Sequence, residues 1–237
     1  ITNSEFGLYT GIDKKSLDDK WTFSATARID KNQNFKMLFS PAASIVFKPK
    51  AGNFFRLSFA SALRNPTLSD QYLSLNVGRA ILAGNLNGVQ NLITVESLSD
   101  YLGTLNPAKI VRFNIDPIRP ERVKTVELGY RTTLFNSLYA DLGYYYSFYN
   151  DFIGYNIGVE GSFDPVTGFP KNLQAYRYAA NSINQVTTQG FSAGLNYYFN
   201  KYYQLSGNYS WNKLNKDFED DPIIPAFNTP EHKYNIS

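Results

Sequence analysis

The chain has 237 residues, a formal net charge of +3, no cysteine, and an aromatic content of 16%, with 18 Tyr and 18 Phe. The lack of cysteine excludes a disulfide framework and a thiolate metal site, and the mild, scattered positive charge gives no electrostatic footprint for nucleic acid. No apolar run approaches the roughly 18 residues of a membrane-spanning helix, and the mean hydropathy is −0.32. The lack of a long apolar run and the low mean hydropathy are both compatible with a chain that crosses a membrane as β-strands, because only alternate residues then face lipid.

Alternation of apolar and polar residues predicts β-strands along the whole chain. It is clearest at 137–150, where Leu142, Tyr144 and Phe148 lie on one face and Asp141 on the other. About ten such residues are enough for a tilted strand to cross a bilayer. In chain order we predict nine strands, near 4–12, 21–30, 36–48, 55–63, 125–134, 137–150, 174–188 (continuing into the next), 191–199 and 204–212, with a partial one at 232–237.

The two faces of the predicted strands differ in composition. The apolar face carries aromatic residues near strand ends, as expected of the girdles at a membrane–water interface. The residues assigned to this lipid interface are Tyr144, Tyr146, Phe148, Tyr209 and Trp211. The opposite face is small and polar with isolated charges, which is typical of a wide, wet barrel lumen. The charges assigned to the lumen are Arg28, Arg56, Glu127 and Arg131.

The links between the predicted strands alternate in length. Tight turns at 49–53, 135–136 and 200–201 alternate with long links that span 63–121, 152–174 and 215–231. This sidedness predicts an outer-membrane barrel with tight periplasmic turns and long extracellular loops. Within the longest loop we expect short helices at 67–73 and at 95–102, the second capped by Thr94, and tight turns that suggest a small extramembrane sheet.

Several segments, taken together and in order, resemble the barrel domain of TonB-dependent receptors. One is the strand 55–63 that runs into Arg64-Asn65-Pro66-Thr67. A second is Arg119-Pro120-Glu121 followed by Glu127-Leu128-Gly129-Tyr130. Asn150-Asp151-Phe152-Ile153, Gln189-Gly190-Phe191 and Thr229-Pro230-Glu231-His232 are similar to later segments of that family, although Ser192 stands where the family has Glu.

The resemblance implies an all-β, antiparallel transmembrane barrel of 22 strands that encloses a plug and is energised through a TonB box. Residues 1–237 would then be a partial barrel domain of about nine strands, without the plug, the TonB box or the C-terminal strands. The implied function is active import of a scarce nutrient, such as a siderophore or other metal chelate, a glycan or a peptide, across the bacterial outer membrane. The expected partners are the bilayer with its lipopolysaccharide, the TonB complex, the substrate and a surface lipoprotein.

No arrangement of residues predicts catalysis, a cofactor or a metal site. His232 is the sole histidine and is interpreted as a polar residue at the start of a strand. The acidic run of Asp217, Glu219, Asp220 and Asp221 lacks the spacing of a calcium loop and is predicted to be a solvated loop. Arginine and aromatic side chains bind polar ligands well. The ligand contacts we predict on this basis are Arg79, Tyr101, Arg112, Tyr155 and Tyr176.

Two alternatives to an active importer remain open from the sequence alone. A passive outer-membrane porin would share the barrel and its loops but would need no plug. A soluble β-sandwich that binds a ligand would share the alternating strands but would have no lipid-facing surface.

Overall fold

The fold consists almost entirely of β-strands. The computed structural model describes residues 2–164, 167–217, 221, 223–225 and 229–237. The helical elements are α1 (Leu68–Tyr72), α2 (Val95–Thr104) and a 3-10 turn at Pro107–Lys109. In chain order the strands are β1 (Glu5–Lys15), β2 (Trp21–Asn32), β3 (Leu38–Phe47), β4 (Asn53–Arg64), β5 (Ser74–Asn76), β6 (Ile81–Ala83), β7 (Val89–Ile93), β8 (Arg112–Ile115), β9 (Glu121–Leu134), β10 (Leu138–Asn150), β11 (Ile153–Phe163), β12 (Pro170–Asn181), β13 (Val186–Tyr198), β14 (Gln204–Asn215), β15 (Ile224–Pro225) and β16 (His232–Ile236).

Nine of the described strands form one antiparallel sheet, which we call the wall sheet. Its order is β1-β2-β3-β4-β9-β10-β13-β14-β16. Each wall strand therefore pairs with the wall strand that follows it in the sequence, and long loops separate β4 from β9, β10 from β13 and β14 from β16. The period-two pattern places the large apolar side chains on one face, where Leu57, Leu128 and Leu195 are 47%, 55% and 48% exposed. A face of this kind has no protein partner within the described chain, as expected of a surface that meets lipid.

A row of aromatic rings crosses four neighbouring wall strands near the tight turns. Trp21 stacks on Phe47 with 4.3 Å between ring centroids, and Phe55 stacks on Tyr130 at 4.6 Å. The register pairs all four residues in sequence from β2 to β9. Rings aligned at one level of a sheet are typical of an interfacial girdle.

The two ends of the wall sheet carry different links. One end has only short links, at 16–20, 48–52, 135–137 and 199–203. At 135–137 both Phe135 and Asn136 have φ near +53°, which is the primed turn geometry that matches the twist of a hairpin. The other end has the short link 33–37 and three long loops, 65–120, 151–185 and 216–231. The predicted alternation of tight turns and long loops is confirmed.

The three long loops meet in a second sheet, which we call the loop sheet. Its order is β5-β6-β12-β11-β7-β8, and β15 pairs with β11. The prediction of a wall strand at 174–188 that continues into the next was wrong. Residues 170–181 pair with β11 and β6 in the loop sheet, and the wall strand β13 begins only at Val186. Alternation marks residues 174–180 as a strand, but it does not say which sheet the strand joins.

The apolar core of the described chain lies in the loop end and not in the wall. One cluster of buried residues contains Leu92, Ile115, Tyr178, Ala180 and Ile223. A second contains Phe35, Ile118, Ile153 and Ala179, so the short link 33–37 packs against the long loops. The loop sheet is therefore held together by a hydrophobic core like that of a water-soluble protein.

The short helices in the longest loop form where the capping residues predict them. Thr67 and Asp70 make a capping box at α1, and the Thr94 hydroxyl accepts a hydrogen bond from the Ser97 amide at the start of α2. Within the described part of the chain, no helix has the length and apolar character needed to span a membrane.

Candidate functional site

A cavity of about 840 Å³ lies at the long-loop end. Its volume falls within the range of about 300–1,000 Å³ that is usual for small-molecule sites. All three long loops contribute to it, together with the ends of β10 and β12. The first loop contributes residues 94–96, 113–116 and 119, the second 151, 156–157 and 180–185, and the third 223–224.

A buried ion pair fixes the third loop against the second. The Lys216 Nζ atom lies 3.6 Å from the Asp221 carboxylate, and the two side chains are 1% and 0% exposed. The ammonium also donates to the carbonyls of Asp221 and Ile223, at 2.7 Å each. The carboxylate accepts the backbone amides of Ile183 and Asn184, at 3.1 and 3.0 Å. These bonds hold the 182–185 segment and Ile223 in place as walls of the cavity.

An asparagine and an ion pair join the first loop to the second. The Asn181 side chain accepts the Arg119 amide at 2.7 Å and donates to the carbonyls of Arg119 and Asp151. The Arg119 guanidinium lies 3.1 Å from the Asp151 carboxylate and 3.9 Å from that of Asp116. Since the Asn181 amide uses both its oxygen and its nitrogen in this junction, its role is positional.

The charge on the cavity lining is predominantly negative. Three carboxylates, from Glu96, Asp116 and Asp151, face one guanidinium, from Arg119, and no lysine lines the cavity within the described residues. Arg119 is already paired with two of the carboxylates. Glu96 makes no ion pair with any described residue, and it lies in the first turn of α2, where a helix favours negative charge.

A smaller cavity of about 300 Å³ lies on another side of the loop sheet. Tyr155 and Arg177 line it, and the guanidinium of Arg177 stacks 3.3 Å from the centre of the Tyr155 ring. Tyr176 and Tyr178 stack on each other nearby with 5.2 Å between centroids. Burial and the neighbouring Glu160 carboxylate raise the pKa of both phenols above the usual value for tyrosine.

The five predicted ligand contacts do not come together at the large cavity. Arg79 is exposed in the turn between β5 and β6, and Arg112 is exposed on β8, where it donates to the Asn91 carbonyl at 2.9 Å. Tyr155 lines only the smaller cavity, and Tyr176 packs beside the core. Tyr101 is fully buried against Phe163, so its ring belongs to the core of the loop sheet and is closed to a ligand in this conformation.

The residues that line the large cavity are not among the arginine and aromatic side chains predicted from the sequence as ligand contacts. They are mainly carboxamides and isoleucines. The carboxamides are Asn114, Asn150, Asn156, Asn181, Asn184 and Gln185. Their density in loop segments next to strand ends was a signal in the sequence, but asparagine is common in turns for backbone reasons and rarely distinguishes a site.

The charges predicted for the lumen lie on the polar face of the wall sheet and form short ion pairs. Arg56 lies 3.7 Å from Glu127 on the neighbouring strand, as expected if β4 and β9 pair across the longest loop. Arg131 makes two hydrogen bonds to Asp141, at 3.0 and 2.6 Å. Arg28 pairs with Asp30 on its own strand at 2.7 Å. The Arg56–Glu127 and Arg131–Asp141 pairs each join two neighbouring strands on the polar face, whereas the Arg28–Asp30 pair lies within one strand.

The aromatic residues predicted for the lipid interface share the apolar face of β10 and β14. Tyr144 and Trp211 both lie beside Phe191 in the register, which places them in one row. Tyr146 and Phe148 lie near the long-loop end with their rings 4.9 Å apart. The Tyr209 hydroxyl is 2.9 Å from His232 Nδ1. The only histidine of the sequence thus joins β16 to β14.

The acidic run is only partly described. Asp221 forms the buried ion pair with Lys216, whereas Glu219 and Asp220 lie outside the described residues. A solvated loop was the prediction for this run, and for Asp221 it was wrong because the side chain is fully buried. No group of three or more potential metal ligands occurs in the part of the chain that the structure describes.

Comparison with known proteins identifies the family. Residues 1–237 match the family model described as TonB dependent receptor-like, beta-barrel. The chain belongs to the TonB-dependent receptor family. TonB-dependent receptors are outer-membrane proteins of Gram-negative bacteria that act as receptors and transporters, so the predicted family, barrel fold and location are confirmed. The soluble β-sandwich alternative is therefore set aside. Among curated proteins no sequence match was found.

Solved TonB-dependent receptors share the fold at low identity. The ferric enterobactin receptor PfeA from Pseudomonas aeruginosa aligns over 99% of this chain and 30% of its own, with a TM-score of 0.62 and 14% identity. The siderophore receptor PirA from Acinetobacter baumannii aligns over 91% and 28%, with 0.60 and 17%. The copper transporter OprC aligns over 94% and 30%, with 0.57 and 12%. The chain thus spans less than a third of each of these receptors.

Proposed function

We propose that this chain forms part of an active importer that captures a scarce nutrient with its long loops and passes it to the periplasm. The observation that carries the proposal is the convergence of all three long loops on one cavity at one end of the wall sheet. A barrel that served only for passive diffusion would not need three loops tied together by a buried ion pair and a shared core. The barrel and its loops would bind and do no chemistry, so we infer that the protein is not an enzyme.

The orientation follows from the two faces of the wall sheet. We propose that the polar face with Arg56, Glu127 and Arg131 lines the lumen, and that the loop end faces the cell exterior. The aromatic residues of the apolar face would then contact the bilayer and its lipopolysaccharide. Energy would come from TonB acting on a plug domain outside residues 1–237, and a surface lipoprotein is a further proposed partner at the loop end.

The predicted ligand contacts can be ranked by their positions. Arg79 and Arg112 are exposed on the loop sheet and remain proposed contacts. Tyr155 remains one through the smaller cavity, and Tyr176 through its place beside Tyr178. Tyr101 could serve only indirectly, by supporting the fold of the longest loop.

The test is uptake of labelled nutrient by cells that express the full-length protein, with and without TonB. An active importer would still bind nutrient at the surface of cells without TonB but would accumulate none inside. Replacement of 151–185 by a tight turn should abolish surface binding, because that loop supplies part of the cavity and most of the loop sheet. Accumulation that is independent of TonB would support the porin alternative and overturn the proposal.

A further inference from the structure

One edge position of β11, Ile157, lines the large cavity and pairs with no described strand on its open side. On one side β11 pairs along its length with β12. On the other side it pairs with β15 at Gly154 and Tyr155 and with β7 at Val159, and no described residue pairs with Ile157 on that side. The Ser182 amide donates to the Phe152 carbonyl, so Phe152 is a hydrogen-bonded position of the ladder between β11 and β12. Such positions alternate along an antiparallel ladder, and Ile157, five residues on, is therefore a position whose backbone groups point away from β12 and toward this open side.

The two backbone groups of Ile157 differ in their hydrogen bonding. The Ile157 amide donates to the Asn156 side-chain oxygen at 2.8 Å. The Ile157 carbonyl accepts no hydrogen bond from any described residue, and the side-chain nitrogen of Asn156 likewise has no partner among them. A strand-edge carbonyl and a carboxamide donor from two adjacent residues therefore line the cavity.

Other carboxamides of the cavity have hydrogen-bonding capacity to spare. Asn114 uses its oxygen to accept the Asn91 amide, which leaves its nitrogen free of partners in the described chain. Gln185 donates to Asn150 at 3.1 Å, and the remaining amide groups of the pair have no described partner. Groups that both donate and accept suit a ligand that also carries both, such as a peptide backbone.

The apolar part of the lining is aliphatic. Val95, Ala180 and five isoleucines supply it, and Phe113 is its only aromatic residue within the described chain. A sugar is usually held by an aromatic ring packed on its C–H face, and this lining offers little such surface. Branched aliphatic side chains pack well against the aliphatic side chains of a peptide.

From these features, and resting on the proposed import function, we propose that the large cavity binds a short peptide with a positive charge. The backbone of the peptide would pair with Ile157, Asn156 and Asn114, and its ammonium group would lie near Glu96 and Asp116. The excess of carboxylates over guanidinium groups disfavours an anionic chelate, since like charges raise the cost of binding in a cleft of low dielectric. The substrate class of this site is therefore different from that of a ferric siderophore receptor.

Calorimetry with the full-length protein in detergent tests this inference with four probes. They are lysyl-alanyl-alanine, glutamyl-alanyl-alanine, maltotriose and ferric enterobactin. We expect the lysyl peptide to bind at least about tenfold more tightly than the glutamyl peptide, which matches it in size but reverses its charge. Stronger binding of ferric enterobactin or of maltotriose than of the lysyl peptide would overturn the proposal, as would the absence of peptide binding.

Two sets of variants place the peptide in the cavity. The double variant Glu96→Gln, Asp116→Asn should weaken the lysyl peptide about tenfold and leave the glutamyl peptide unchanged or tighter. Asp100→Asn, an exposed carboxylate one turn further along the same helix that does not line the cavity, is the matched control. Asn156→Ala should weaken both peptides severalfold, whereas Asn208→Ala in the wall should not. Equal binding by all variants would place the peptide elsewhere and sink the inference.

The two proposals fail in different ways. TonB-dependent uptake of a chelate by a protein that binds no peptide would overturn this inference and leave the proposed function in place. Peptide binding that responds to the cavity variants, together with uptake that does not depend on TonB, would overturn the proposed function and leave this inference in place.

Discussion

The wall sheet and the loop sheet are built on opposite principles, although one chain alternates between them. In the wall sheet the large apolar side chains lie on an open face, and its neighbouring strands are joined by continuous antiparallel ladders. In the loop sheet the apolar side chains turn inward, and Leu92 and Ile93 are fully buried. The wall depends on lipid and backbone hydrogen bonds, whereas the loop sheet depends on hydrophobic burial in water.

Because they depend on different interactions, the two regions should fail separately. A substitution in the core of the loop sheet removes contacts that the wall does not use, so the barrel should stay assembled while the loops lose their structure. Polar-face substitutions in the wall should have small effects, because those ion pairs are half exposed. Four substitutions test this separation.

The largest effect is expected for Lys216→Met in the buried ion pair. The substitution leaves the Asp221 carboxylate buried without its cation, at a cost of about 3–5 kcal/mol. Hydrogen exchange should rise sharply at 182–185, whose amides at Ile183 and Asn184 bond to that carboxylate. The heat-modifiable gel mobility that reports barrel assembly should not change.

The double variant Lys216→Met, Asp221→Asn provides the internal control, because a neutral amide can still accept the same backbone hydrogen bonds. We expect it to recover most of the lost protection at 182–185. Lys213→Met removes an exposed lysine of β14 nearby and should have no effect. Loss of barrel assembly in the single variant would show that the two regions are coupled.

A smaller effect is expected for Gly84→Ala beside α1. A Cβ atom at Gly84 would collide with backbone atoms of Gln71 and Tyr72, which cannot move aside as a side chain could. Overpacking of this kind costs about 1–3 kcal/mol, and hydrogen exchange over 68–87 should report it. Gly103→Ala is the matched control, since it meets no atom within 4 Å and lies inside α2. It should stabilise the loop by up to about 1 kcal/mol; equal effects of the two substitutions would contradict a steric cause at Gly84.

An effect of about 1 kcal/mol is expected for Tyr178→Phe, and it depends on pH. Burial and the Glu160 carboxylate raise the pKa of the Tyr178 phenol, and its hydroxyl donates to Glu160 at 3.1 Å. Below pH about 10 the phenol keeps its proton in the folded and the unfolded state. Above that pH the unfolded state loses the proton first, so the stability of the loop sheet falls as pH rises.

The measurement is cleavage within 151–185 by a protease that remains active between pH 8 and 11. The native protein should become more sensitive above pH about 10, and Tyr178→Phe should lose part of that rise while being slightly less stable at pH 8 through the missing hydrogen bond. Tyr203→Phe, in a tight link of the wall, should leave the profile as it is. A profile that is unaltered by Tyr178→Phe would show that this phenol does not cause the pH dependence.

Most of the wall was predictable from the sequence, because local rules determine it. A period of two identifies a strand and the face of each residue. Tight turns such as 135–137 join neighbouring strands, so sequence order becomes strand order. The pairing of β4 with β9 across 65–120 could also be anticipated, since the tight-then-long rhythm leaves no other place for β9.

The loop sheet and its cavity could not be predicted in the same way. The parallel pairing of β6 with β12 joins residues that are almost a hundred positions apart, and no local pattern announces it. In the sequence Asp221 is one more acidic residue in a run of four, and only the structure shows that it is buried beside Lys216. The burial of Tyr101 and the position of the carboxamides along the cavity likewise depend on how the three loops pack together, which no local pattern shows.

The smallest effect is expected for Arg56→Glu on the polar face of the wall. Arg56 and Glu127 are 55% and 46% exposed, and the 3.7 Å separation of their charged atoms is typical of a pair that contributes at most about 1 kcal/mol. The reversed charge would oppose Glu127 across β4 and β9, the two strands that close the longest loop, and slow barrel assembly slightly. Adding Glu127→Arg should restore the native rate, measured as the appearance of the heat-modifiable form. If assembly proceeds at the native rate in Arg56→Glu alone, register between these strands is set by their backbone ladder and by the core of the loop sheet above them, and not by the ion pair.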